Sequence, residues 1–426
     1  MNRGFFALLP FISFLLLYMS VGIWFSYQGT DFAFYQFPAA SCALIGFGVA
    51  LLMGYRNVNE QVRVFTQGIG DENVILMCLI FMLAGAFSVV TKATGAIDNT
   101  VNLGLSFLPS YALLPGIFLI SCLISFAMGS AMGTISTIAP IALGIATKGQ
   151  IDLPLTMGSI VGGAMFGDNL SIISDTTVAA TSTQGCTMRE KMKSNIKIAI
   201  PAALAVLALL FVFAKPHTSN GIYEFSFLKS LPYAVVIGLA LTGLNVVVVL
   251  MLGITSAALV GFATDALTFV EFGKATYEGF LSMAEVFFLT VLSAGLAAIA
   301  TKEGGLDYLL SKLQRLIRST RTAELGIAAL VSLADICIAN NTVAIIVTGP
   351  MVKQIAERFH IAKARAASLM DIYSCVWQGL IPFGAQILLA GGLSKLSPFS
   401  IIPYTWYPMA LGIAATLSIV CRKTTK

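Results

Sequence analysis

Charge is what this sequence has least of. Only 11% of its 426 residues are Asp, Glu, Lys or Arg, and 57% are hydrophobic. Ordinary soluble domains carry about 25% charged residues. So few charges cannot solvate a globule of this length, which excludes a soluble enzyme, a nucleic-acid binder and a disordered chain. Histidine is nearly missing as well, and His217 and His360 both stand in polar connections. The seven cysteines are scattered singly, without a CxxC pair, so they read as small buried hydrophobes rather than a disulfide framework or zinc site. No HExxH occurs, and the GxGD pattern of intramembrane aspartyl proteases would need glycine where Met165 stands. No enzyme reading and no cofactor call survive.

Long apolar runs are what the chain does have. Segments 5–26, 38–54, 74–90, 197–214, 246–263, 284–300 and 400–420 are long enough to cross a bilayer, and 231–244 is marginal. The run Phe5–Phe25 is too long for a signal-peptide core and reads as the first membrane helix. Four further apolar stretches, 112–147, 155–183, 326–352 and 366–393, are rich in Gly, Ser, Thr and Asn. Unpaired backbone groups cost several kcal/mol in hydrocarbon, so irregular chain there must line a cavity. Function is expected in these four stretches.

An internal repeat is visible. Ala84-Gly85, Thr91-Lys92, Gly95 and Asp98 recur as Ala294-Gly295, Thr301-Lys302, Gly304 and Asp307, at an offset close to 210 residues. Thr134…Pro140 matches Thr342…Pro350 at nearly the same offset. The expected organisation is therefore two repeats. Residues 1–215 hold a hairpin at 112–147 and a broken helix at 155–183. Residues 216–426 hold a hairpin at 326–360 and a broken helix at 366–393. With a cytoplasmic N-terminus and five crossings per half, 19 of the 25 Lys and Arg fall on the cytoplasmic side. That agrees with the positive-inside rule, and an odd number of crossings makes the repeats inverted, an architecture typical of secondary transporters. The fold class expected is an all-α integral membrane protein with two inverted repeats. It has about ten spanning helices, two re-entrant hairpins and two broken helices. A multi-pass place in the cell inner membrane, with both termini cytoplasmic, follows.

By this placement no Lys or Arg lies inside a membrane segment, yet Asp168, Asp175, Asp335 and Asp371 do. A charge at the bilayer centre costs at least ~2.5 kcal/mol, so such carboxylates are rarely structural. Lacking a basic partner, each is expected to be protonated, hydrogen-bonded or paired with a mobile cation.

The densest polar cluster is Gly167-Asp168-Asn169-Leu170-Ser171-Ile172-Ile173-Ser174-Asp175-Thr176-Thr177. On a continuous helix Asp168, Ser171 and Asp175 would share a face. A local break at Gly167 or Asn169 would instead free carbonyls for a hard cation, which prefers carboxylate, hydroxyl and carbonyl oxygens. The stretch resembles the "GDNLSPISDTT" signature of NhaC-type sodium/proton antiporters, with Ile172 in place of the proline. The family belongs to the ion transporter superfamily, whose folds have inverted repeats, two re-entrant hairpins and two broken helices. In the second half, Pro382 is followed by Phe383-Gly384-Ala385, where the family often has Trp-Asn-Thr.

The resemblance implies a cation-coupled secondary transporter exchanging sodium for protons. Asp168 and Asp175 would bind the sodium, and Asn169, Ser171, Ser174 and Thr176 would lie beside it. Thr134 and Ser136 sit near the expected first hairpin tip and Asn340, Asn341 and Thr342 at the second. Small-residue spacing at the first tip reads equally well as helix packing. Asp335, Asp371 and Gln378 complete the candidate path, although the last two could equally hold scaffold to core. The alternative cargo is an amino acid or small organic acid carried with sodium or protons. The partners expected are the lipid bilayer and the transported species, with a homodimer one assembly left open.

Overall fold

The computed structural model describes residues 3–28, 30, 36–54, 57–107, 109–172, 174–213, 224–314 and 317–421. Ile173 and His217 lie outside them, as do Arg56, Lys215, Arg315, Arg422, Lys423 and Lys426 among the 25 basic residues counted above. Among the described residues the chain is helical and no strand occurs.

A short α1 (Arg3–Ala7) precedes ten helices: α2 (Leu9–Tyr27), α3 (Ala39–Leu52), α4 (Val58–Ile69), α5 (Glu72–Ala93), α6 (Ala96–Phe107), α7 (Ser110–Met128), α8 (Ala131–Lys148), α9 (Leu153–Leu170), α10 (Asp175–Gln184) and α11 (Met188–Phe213). The second half runs α12 (Phe227–Leu241), α13 (Val246–Ala263), α14 (Phe269–Ser282), α15 (Ala284–Lys302), α16 (Gly305–Gln314), α17 (Thr320–Ile338), α18 (Asn341–Arg358), α19 (Lys363–Gln378) and α20 (Ala385–Ser394). It ends with a short α21 (Pro398–Ile401), a 3-10 turn and α22 (Trp406–Val420). The first expected span is thus two helices, parted at Leu8.

Among the described residues six helices are long and apolar enough to cross a membrane by themselves: α5, α7, α8, α11, α13 and α15. Shorter apolar helices are formed by Leu9–Phe25, Ala39–Leu52, Phe227–Leu241 and Trp406–Val420, and α20 meets the segment after it at 98°.

The two halves pack reciprocally. Helix α5 lies on α14 and α15 on α4; α8 lies on α20 and α18 on α10; α9 lies on α22 and α19 on α11. Sequence explains the corners. Gly129 ends α7 at φ +65°, and Ser130 then caps α8, its Oγ accepting from Gly133 N at 3.1 Å. In the second half Ala339 takes the same left-handed turn at φ +56°, and Asn340 caps α18 by accepting from Val343 N at 3.0 Å. A hydroxyl or amide one residue past each turn captures an otherwise orphan N–H.

Helix α9 approaches α7 almost backbone to backbone. A Cβ on Gly167 would collide with Phe126 N and Cys122 O, whereas one on Gly48 in α3 would meet nothing within 4 Å. Gly167→Ala is therefore expected to abolish a monodisperse folded protein in detergent. Gly48→Ala should be neutral or stabilising by about 0.5–1 kcal/mol, since glycine weakens a helix interior. Equal melting midpoints for the two variants would contradict this packing.

Candidate functional site

Helix α9 stops at Ser171, whose N–H reaches Gly167 O at 2.8 Å, and α10 starts after Ser174. This chain break brings Asp168 and Asp175 toward one another, not the shared helical face considered above. Ser174 bridges it: its Oγ donates to Asp168 Oδ1 at 2.7 Å and stands 3.0 Å from Thr176 Oγ1.

The break opens into a cavity of about 460 Å³. Asp168, Ser174, Asp175 and Thr176 form one wall, and the tip residues Ser130, Asn340, Asn341 and Thr342 form others. Gln378, Ala385 and Gln386 join them from the second break. Asp175 is exposed to this space, and Asp168 is partly so. Among the described lining residues no Lys, Arg or His occurs. A second, mostly apolar cavity of about 370 Å³ lies between α4, α5, α15 and the second hairpin, and shares Met77, Asn340 and Ala385 with the first.

Not every candidate reaches the cavity. Thr134 and Ser136 are fully buried and turn back onto their own helix, donating to Ser130 O at 3.1 Å and Gly133 O at 2.7 Å. Asp335 is buried in α17, and Ser171 is buried at the end of α9. Gln378 ties the second break to the second tip, donating to Ala339 O at 3.3 Å.

Asn169 and Asp371 lie behind the break, and here one expectation fails. Lys191, counted above among the cytoplasmic charges, is buried. Its Nζ stands 2.6 Å from Asp371 Oδ2, with both side chains 1% exposed. Asp371 is therefore not a carboxylate without a basic partner. The same ammonium donates to Asn169 O and Thr177 Oγ1, each at 2.8 Å. Asn169 Nδ2 and Asn195 Nδ2 also donate to Asp371 Oδ2, at 2.6 and 2.9 Å, and Asn195 Nδ2 reaches Asn169 O at 3.0 Å.

Lys191, Asn195 and Thr177 are residues that sequence reasoning missed. One signal was present: Lys191 and Asn195 are four apart, hence on one face of α11, just before its apolar run. A further ion pair, with Glu324 buried and Arg365 partly so, clamps α19 to α17, with Arg365 Nη2 2.9 Å from Glu324 Oε2 and also 2.9 Å from Ser418 Oγ on α22.

Apolar helices broken around a polar, partly open cavity define a membrane transporter. The chain belongs to the Na+/H+ antiporter family, whose model matches residues 5–215 and 187–422. It is 26% identical to the Na(+)/H(+) antiporter NhaC of Bacillus subtilis (strain 168), over 82% of this chain and 83% of that one. It is 23% identical to the malate-2H(+)/Na(+)-lactate antiporter of the same organism, over 89% of both. Among solved structures, the YdaH transporter of Alcanivorax borkumensis aligns with 85% of this chain and 88% of its own at 14% identity, with a TM-score of 0.42.

Breaking a buried ion pair from one side strands the other charge and costs about 3–5 kcal/mol. Glu324→Ala is expected to lower stability by roughly that amount, and Arg365→Met added to it should restore part of the loss. Thermal unfolding in detergent reads both, and strictly additive losses would refute a paired role.

Proposed function

We propose that this protein is a secondary-active sodium/proton antiporter, with Asp168 and Asp175 at the α9–α10 break as its exchange site. The observation that carries the reading is the meeting of two carboxylates and the hydroxyls of Ser174 and Thr176 at one cavity wall. These are hard oxygen donors of the kind a small cation takes. Sodium binds the ionised carboxylates and protons displace it, so competition for one site couples the two fluxes. Asn340, Asn341, Thr342 and Gln378, on the opposite walls, complete the cation's surroundings. Asn169 and Asp371 hold the break from behind.

The matching order of helices, the reciprocal packing and the two stretches matched by the family model support an inverted repeat of 1–215 and 216–426. In this reading α7–α8 and α17–α18 are the re-entrant hairpins. The cavity reaches Asn73 in the first turn of α5 and Gly243 and Asn245 in the turn before α13, which the positive-inside rule puts at the cytoplasmic end. The state is then inward-open, in a multi-pass inner-membrane protein with cytoplasmic termini.

A second reading, carriage of a small organic solute with sodium or protons, is favoured by one observation. The cavity, at about 460 Å³, far exceeds the ~30 Å³ that a water molecule occupies in the liquid.

Asp175→Asn is expected to abolish coupled transport in proteoliposomes while leaving the melting profile intact; normal transport by that variant would sink the assignment. For the exchanger, apparent sodium affinity should weaken by about tenfold per pH unit below the site's pKa for each competing proton. Sodium affinity flat from about pH 6 to pH 8.5 and sharpened by one added solute would favour the second reading instead. For the topology, cysteines placed beside Lys148 should react with impermeant reagents from outside and those beside Lys363 only from inside. Labelling of both from one side would rule out the inverted arrangement.

A further inference from the structure

The Lys191 ammonium sits in a cage of oxygens. Asp371 Oδ2 lies at 2.6 Å, and Asn169 O and Thr177 Oγ1 each lie at 2.8 Å. Those accepting oxygens come from three different helices and are a carboxylate, a backbone carbonyl near the end of α9, and a hydroxyl. Beside them, Asp371 Oδ1 and Asn195 Oδ1 are buried oxygens that accept no hydrogen bond, on residues 1% and 0% exposed. Oxygen in excess of donors, arranged around a single positive charge, is what a desolvated cation site looks like. The site is also distinct from the cavity, because none of Asn169, Thr177, Lys191, Asn195 and Asp371 lines it.

We propose that this cage is a second cation-binding site, permanently filled in the native protein by the tethered ammonium of Lys191. The ligand class it takes is a small primary ammonium, with the lysine acting as its own resident ligand. Two physical terms favour a cation there: the Asp371 carboxylate in contact and the negative end of the α9 dipole at Asn169 O. A free cation would leave whenever the break opened; one on the α11 backbone cannot, so the break keeps its charge balance through a transport cycle. The assignment does not depend on which cargo crosses the neighbouring cavity.

Chemical rescue tests it in the purified full-length protein, by melting midpoint in detergent and without a transport readout. Lys191→Ala removes the side chain beyond Cβ, and n-propylammonium supplies the same atoms untethered. The expected result is a lower midpoint for Lys191→Ala that rises with propylammonium concentration, as ligand linkage requires. Wild type, whose cage is full, should not respond, and neither should Lys191→Ala/Asp371→Asn, whose cage has lost its anion. No rise in Lys191→Ala, or an equal rise in all three proteins, overturns the proposal. Should Lys191→Ala fail to fold, Asp371→Asn and Asp371→Asn/Lys191→Met decide instead. Removing the stranded cation should make the double variant more stable than the single one, and a double variant no more stable than Asp371→Asn refutes the cage.

Discussion

A helix that ends inside an apolar bundle leaves carbonyls without partners, and everything at this site depends on how the end of α9 is supplied with donors. Water would do it at a protein surface. Here side chains from α11 do it: Lys191 and Asn195 both donate to Asn169 O. Burying an ammonium for that purpose is tolerable only with an anion in contact, and α19 provides Asp371. The ion pair thus fixes three helices about one interrupted turn. Glycine does the rest, because Gly163 and Gly167 let α9 close on α7 with no room for a side chain.

The second break is built differently. After α19, Gly379 N, Leu380 N, Ile381 N and Gly384 N find Cys375 O, Trp377 O (twice) and Ile381 O in successive local turns. Its backbone largely satisfies itself, and the Gln378 amide reaches across to the second hairpin tip at Ala339 O. The two breaks occupy matching places in the order of helices, yet one is held by charge and the other by folded backbone. Carboxylates lining the cavity come only from the first among the described residues. A self-satisfied turn leaves its side chains free to be amide or apolar, whereas an ionic clamp brings polar groups with it.

Much of this was legible in the sequence. Long apolar runs give the class, because hydrocarbon thickness sets helix length; the polar stretch from Asp168 to Thr177 marks the break, because oxygen-rich side chains are expensive there. Depth was not legible. Lys191 stands in a basic run with Arg189, Lys193 and Lys197, and a positive-inside count cannot tell a charge in the headgroups from one drawn inward. Only the brevity of α10, ten residues long, and the packing of α11 on α9 and α19 carry it under the break. The helical face shared by Asp168, Ser171 and Asp175 failed for a related reason: spacing along a chain predicts a face only where the helix continues. Thr134 and Ser136 resembled tip ligands but bond within α8, as hydroxyls in apolar helices commonly do.

Consecutive residues of a helix point about 100° apart, and that rotation lets one broken turn serve two environments. Asp168 faces the open cavity with Ser174 on its carboxylate. Asn169, the next residue, faces the closed cluster and holds Asp371 through its amide. Two neighbours in sequence thus have separate surroundings, the cavity beside Asp168 and the buried ammonium beside Asn169. Solvent reaches Asp168 from the cavity side of the turn and does not reach Asp371, which is 1% exposed. Were both carboxylates on one face, Asp371 would open to the cavity as well, and its pair with Lys191 would lose its shelter from water. The separation keeps the Asp168 carboxyl within water's reach and the Lys191–Asp371 pair out of it.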